Sequence, residues 1–325
     1  MKERIAYFDF LRGLAIMMVV GIHTYTLGED SLVVRQLLNV AVPLFVAISG
    51  YFLSQKKMDN KDDYRYFLKK QLPKVYLPVL LWSLPLYLLS LYSGSSFFKQ
   101  TILLLGCGIS IYYFVAFIMQ CYVFLPVINN CISEKSVLGG VIVSCLISLI
   151  WIAGVVYMNT IQGNELPLIL YAGPLPCWLM FFVLGVMIGH KPERNYSISL
   201  PIIISVLGFM LSIIESYYLL NHYGKGVGIK PSTYIYSAGM IFLMFSNKME
   251  TLISRTGVIY RFIIWIGSLS FGIYLIHRYF VSFLANILTI DSWLLQWAIA
   301  LFLTIVLIQI LRKLLPTKYH KYLGI

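Results

Sequence analysis

Charge is what this 325-residue sequence has least of. Asp, Glu, Lys and Arg make up 12% of it, about half their share in ordinary soluble domains. Acidic residues are the scarcer sign, 13 against 25 Lys and Arg. With 59% hydrophobic residues and a mean hydropathy of +0.82, this excludes a soluble domain with an aqueous face all round. The five cysteines (Cys107, Cys121, Cys131, Cys145 and Cys177) have no paired spacing, which argues against a disulfide framework or a metal site. They read as small buried hydrophobes, and no metal is expected. There is no Gly-rich phosphate loop, no low-complexity stretch and no internal repeat. The N-terminal apolar segment is interrupted by Asp9 and Arg12 and lacks a small-residue cleavage site, so a retained first helix is expected rather than a signal peptide.

What is present in abundance is long apolar runs, of the kind that read as transmembrane helices. They lie at 8–27, 36–54, 75–93, 110–129, 137–157, 168–189, 198–220, 232–247, 262–284 and 293–314, the eighth being the shortest. The expectation is an all-α polytopic membrane protein of about ten transmembrane helices, with one integral-membrane domain over 1–325. Placing both termini in the cytoplasm puts 20 of the 25 Lys and Arg on that side. Only Arg35, Lys99, Lys225, Lys230 and Arg278 fall on the other. This positive-inside bias accounts for the net charge of +12, so the basic balance reports topology and membrane lipids, not nucleic acid.

The first apolar run carries Asp9, Arg12 and His23. Arg12 and His23 are eleven positions apart, three turns plus about 20°, so both lie on one helical stripe about 16 Å apart. Asp9 stands at pairing distance, three residues before Arg12. Depths follow from the helical rise. His23 and His277 lie about 22 Å from the cytoplasmic end of their spans, Glu215 about 25 Å and Arg12 about 6 Å. Ionisable groups at such depth mark function by default. Their coincidence on three helices suggests one polar chamber open to the outside, with a charged gate within.

Each group also has a plainer reading. A membrane histidine often bonds a neighbouring helix. Arg12 near a helix end can snorkel to the interface, Glu215 can pair with an Arg or His, and Arg278 can sit at the surface. Ser49 either lines the chamber or bonds its own backbone, the commoner fate. Pro43 and Gly50 allow local unwinding of the second span, and Gly185 and Gly189 have the spacing of close helix packing. The 55–74 loop, with Lys69, Lys70, Lys74, Tyr64, Tyr66 and Phe67, reads as topology signal and interfacial segment. Its lysines also suit a phosphate-bearing donor.

The segment Asp9-Phe10-Leu11-Arg12-Gly13-Leu14-Ala15, with His23 beyond it, resembles the integral-membrane acyltransferase-3 family. Pro43 to Leu53, Lys69 to Pro78, Phe181 to Gly189 and Ser270 to His277 resemble its later signatures, in order, over about residues 5 to 315. The resemblance implies about ten helices in a cell membrane, here a bacterial cytoplasmic membrane. It also implies O-acyl transfer, commonly of acetyl from acetyl-CoA, to a hydroxyl on a surface polysaccharide or lipid-linked sugar. His23 would be catalytic, and Arg12, oriented by Asp9, would belong to the donor path. Lys70 and Lys74 stand where many members have arginine, so bidentate phosphate contacts are not carried over. Tyr112-Tyr113-Phe114 replaces a commoner Trp-containing start of the fourth helix. Without the appended hydrolase-like domain of longer members, the chain completes transfer itself or hands the acyl group to a separate protein.

The chemistry needs a base for the hydroxyl and donors for the thioester oxyanion. His23 serves either as general base or as an acyl-imidazole nucleophile. Glu215 or His277 orients the acceptor or relays a proton, and Ser49, Tyr274 and Arg278 are the oxyanion candidates. A proton-coupled transporter is the main rival, since buried His, Glu and Arg also build proton relays. A structural or scaffolding protein is the third, but it leaves the aligned polar groups unexplained.

Overall fold

The computed structural model describes residues 2–24, 32–56, 58, 60–132, 136–190, 194–226, 228–254, 257–288, 290 and 292–325, with side chains from residue 6. The end of the first expected span (25–27) and the charges counted at Lys57, Lys135, Lys191 and Arg255 lie outside the described residues, as do the side chains of Lys2 and Arg4. Every regular element described is helical. In lipid a backbone polar group has no water to bond, so apolar runs close their hydrogen bonds internally as helices.

The helices are α1 (Lys2–Thr24), α2 (Leu32–Leu38), α3 (Ala41–Ser54), α4 (Lys61–Tyr92), α5 (Phe97–Leu105), α6 (Tyr113–Cys131), α7 (Val137–Val156), α8 (Leu168–Ala172) and α9 (Leu175–His190). They continue as α10 (Ser199–Tyr223), α11 (Pro231–Phe245), α12 (Asn247–Ile253), α13 (Val258–Ser268), α14 (Ser270–Asn286), α15 (Trp293–Leu314) and α16 (Thr317–Leu323). Helix occurs at all ten expected positions, giving a polytopic membrane protein. Among the described residues seven helices are long and apolar enough to span alone, and eight if α13 and α14 count as one bent span. The shorter α9 is the centre of the bundle. Ten of its 16 residues are buried, and it packs on α3 and α7, so it is apolar all round.

Glycine sets the closest helix contacts. A Cβ on Gly185 would collide with the Ala47 carbonyl, and one on Gly50 with the Phe182 carbonyl. Gly189 abuts Ser54 and Tyr51, so the spacing of Gly185 and Gly189 is used to seat α9 on α3. Gly13 and Gly267 do the same for α1 against α13, each meeting the other helix's backbone.

Three expectations are corrected. The 55–74 stretch is mostly helix. The Asn60 side chain accepts from the Asp62 and Asp63 amides (2.9 and 2.8 Å), starting α4 at Lys61. Its first turns pack on α6, where the Tyr64 hydroxyl donates to the Val123 carbonyl (2.7 Å). The second span breaks at Asn39–Val40 rather than at Pro43 or Gly50. Pro43 falls in the first turn of α3, where a missing N–H costs nothing, and the helix runs on through Gly50. The ninth span breaks at Leu269, where α13 and α14 bend by 79°.

Candidate active site

α1 sets the axis of the site. Near one end, Arg12 Nη1 donates to Asp9 Oδ1 at 2.8 Å, the pairing its spacing suggested. The Arg12 guanidinium lies 4.9 Å from the Phe52 ring centre. Phe8 packs edge-on against Phe52 (5.1 Å) and stacks on Tyr51 (4.3 Å). Arg194 closes the far side of this stack, 5.4 Å from the Phe8 centre. Arg194 is 2% exposed, donates to the Phe245 carbonyl (3.0 Å) and pairs with Glu250. Arg12 is thus held by a carboxylate on one side and by an aromatic stack on the other, and a buried arginine pins the far end of that stack.

About three turns further along α1, His23 meets α14. The His23 and His277 ring centroids are 5.4 Å apart. His277 is fully buried, and its Nδ1 lies 2.8 Å from the Ile273 carbonyl. A carbonyl only accepts, so Nδ1 carries the proton and Nε2 of the neutral ring presents a lone pair. That Nε2 has no hydrogen-bond partner among the described residues.

His23 lines two cavities. The narrower, about 160 Å³, runs between Arg12 and His23, walled by Phe45, Phe114, Phe271 and Tyr274. The wider, about 460 Å³, is lined on His23's other side by Arg35, Asn39, Asn159, Glu165, Tyr171, Trp178 and Lys225. Val19, His23, Val42 and Tyr113 line both. The narrow cavity is mostly aliphatic and aromatic, and the wide one mixes amides, charges and aromatic faces. Asn159 and Thr160 reach the wide cavity from a single π-helical turn, Tyr157–Ile161, that ends α7.

A polar network fixes the wall formed by α2. Lys230 and Ser212 both donate to Gln36 Oε1, and Asn39 Nδ2 donates to the same atom at 3.0 Å. Arg35 donates to Asn39 Oδ1 at 2.8 Å, so α2 presents Arg35 and Asn39 to the wide cavity while Gln36 locks it to α10 and α11. Burial lowers the Lys230 ammonium from its ordinary range to about 7; Glu215 opposes this shift and Arg35 adds to it.

The other expected site residues divide. Tyr274 lines the narrow cavity, but its hydroxyl donates to the Ile111 carbonyl (2.7 Å). Ser49 donates to the Phe45 carbonyl (2.9 Å), its backbone-bonded reading. Each hydroxyl has one proton, and both are committed. Glu215 lines neither cavity. Its carboxylate accepts from the amide and hydroxyl of Ser232, at the start of α11. Arg278 follows His277 on α14 but lines neither cavity. Lys70 and Lys74 are exposed on α4, Lys70 over the Tyr66 ring at 5.4 Å.

Sequence reasoning missed Asn39, Tyr113, Asn159, Trp178 and Arg194. It counted Arg35 and Lys225 only as outer charges. Asn159 sits just past the end of an apolar run, where polar residues are routine, and Trp178 lies in the middle of one, where it reads as core. The one signal was Tyr113, which stands in a motif that departs from the family's pattern.

The chain is 27% identical to a serine/alanine racemase of Enterococcus gallinarum over 91% of its own length, but it spans only 44% of that relative. It is 24% identical to the putative membrane-bound acyltransferase YfiQ of Bacillus subtilis, covering 82% of this chain and 75% of the relative. An amino-acid racemase of Enterococcus faecalis matches at 36% identity over 32% of the chain. No solved structure matches. The acyltransferase-domain family model, Acyl_transf_3, matches residues 5–313, and the chain accordingly belongs to the acyltransferase-3 family and is a multi-pass membrane protein.

Proposed function

We propose that this protein moves an acetyl group from cytoplasmic acetyl-CoA to a hydroxyl of a surface polysaccharide or its lipid-linked precursor. The observation that carries this reading is His23 lining both cavities, one leading to Arg12 and the other walled by amides and aromatic faces. The narrow apolar cavity suits the thin pantetheine arm, with the charged end of the donor held at Arg12. The separation of about 16 Å between Arg12 and His23 is similar to the reach of that arm. The wide cavity suits a sugar: Asn39 and Asn159 supply hydrogen bonds, and Tyr171 and Trp178 supply faces on which a pyranose ring packs.

In this reading the acceptor hydroxyl attacks the thioester carbon from the wide cavity while His23 takes its proton. The oxyanion intermediate then collapses, the C–S bond breaks, and the imidazolium returns its proton to the leaving CoA thiolate. His277 acts through His23: its ring, anchored through Nδ1 to the Ile273 carbonyl, packs against the neighbouring imidazole and holds its orientation.

The test is to supply [acetyl-¹⁴C]acetyl-CoA to native membranes and follow label into the lipid and glycan fractions. Release of that label as acetate by mild alkali identifies an O-ester and supports the proposal. Absence of transfer in acceptor-containing membranes turns the assignment toward a different acyl donor or toward transport.

A further inference from the structure

We infer that the Tyr113 hydroxyl is the hydrogen-bond donor that stabilises the thioester oxyanion, a role that rests on the transfer reaction proposed above. Developing negative charge on the carbonyl oxygen needs a preorganised donor inside the site. The hydroxyls that sequence suggested are committed, Ser49 to the Phe45 carbonyl and Tyr274 to the Ile111 carbonyl. Tyr112, beside Tyr113, donates to the Leu275 carbonyl at 2.7 Å. Arg278 lines neither cavity.

Tyr113 differs from all of these. It opens α6 and lines both cavities. Three other residues do so, and of these Val19 and Val42 have no polar side chain, while His23 is the base. Among the described residues the Tyr113 phenol makes no hydrogen bond, so its proton is available. Its neighbours hold it in place: Tyr112 is bonded to α14, and Phe114 packs edge-on to Tyr274 with ring centroids 5.8 Å apart. The start of α6 is therefore tied to the helix that carries His277, and the Tyr113 hydroxyl stands where the two cavities meet.

The step balances without further reagents. As the acceptor oxygen forms its bond to the thioester carbon, the carbonyl π electrons move onto oxygen, which accepts a hydrogen bond from the phenol. Tyr113 keeps its proton throughout. The acceptor's proton goes to His23 and then to the thiolate as the C–S bond breaks.

The experiment measures acetyl transfer by wild type, Tyr113→Phe and protein with 3-fluorotyrosine at position 113, with kcat and donor KM separated. Tyr113→Phe removes only the hydroxyl and keeps the ring, so the thermal midpoint in detergent should stay unchanged. The expected result is a fall in kcat on the order of 10²-fold with donor KM within about twofold, as for loss of one oxyanion donor. Fluorination makes the phenol a stronger donor, so kcat should hold or rise. Full kcat in Tyr113→Phe, or a raised donor KM with kcat intact, overturns the role of Tyr113 and leaves the transferase reading standing. No transfer by wild type overturns both.

Discussion

His23 of α1 and His277 of α14 face one another with ring centroids 5.4 Å apart, and of the two only His23 lines the narrow and wide cavities. The pair therefore has an order: His23 reaches substrate, while His277, anchored through Nδ1 to the Ile273 carbonyl, supports it. His277→Ala is expected to lower kcat on the order of 10²-fold while leaving the donor KM unchanged. A steady-state comparison with wild type checks this. An equal rise in KM would place His277 in binding instead.

Arg12 is held by Asp9 and by Phe52, so its aim into the narrow cavity depends on both. Arg12→Ala should raise the donor KM by about 10- to 100-fold, the worth of one charge-assisted hydrogen bond. Asp9→Asn keeps the guanidinium but loosens its aim, and should give a smaller rise of the same kind. Titrating acetyl-CoA against both variants at saturating acceptor tests the ordering.

The contact of α3 with α9 has no room for a side chain at Gly185. Gly185→Val forces the central helix away from Ala47 and should cost about 1–3 kcal/mol or more. Thermal unfolding of the detergent-solubilised protein should show a lowered midpoint and reduced yield. Gly139→Val, at a glycine with open space around it, should leave the midpoint unchanged.

Lys230 supplies a pH signature. Burial lowers its ammonium to about 7, against about 10.4 in an unfolded chain. Between those values the unfolded state binds the proton that the folded state has released, so stability rises with pH from about 7 to about 10. Lys230→Met should remove that part of the rise. The midpoint-versus-pH slopes of variant and wild type, compared over this window, make the check.

Depth was legible in the sequence, but lateral position was not. A helical rise of 1.5 Å per residue placed His23 and His277 at one level, and their rings meet there. The same arithmetic put Glu215 at nearly that level, yet its carboxylate is spent on Ser232, because depth says nothing about which way a helix turns its side chain. The pairing of Asp9 with Arg12 was readable because i, i+3 spacing is local. The partners of Arg194 were not readable: Phe245 and Glu250 lie more than fifty positions away. The break at Asn39–Val40 was misplaced to Pro43 and Gly50, because proline inside a first turn costs no hydrogen bond. The start of α4 was hidden by its charge, which reads as loop until Asn60 is seen as a cap.

The most direct test of the account is transfer of labelled acetyl from acetyl-CoA into the native lipid and glycan fraction, by membranes carrying equal amounts of wild type or His23→Ala. The account predicts alkali-labile label with wild type and a loss of at least about 10²-fold with the variant. Label that persists with His23→Ala would contradict it and remove the residue between the two cavities from the chemistry.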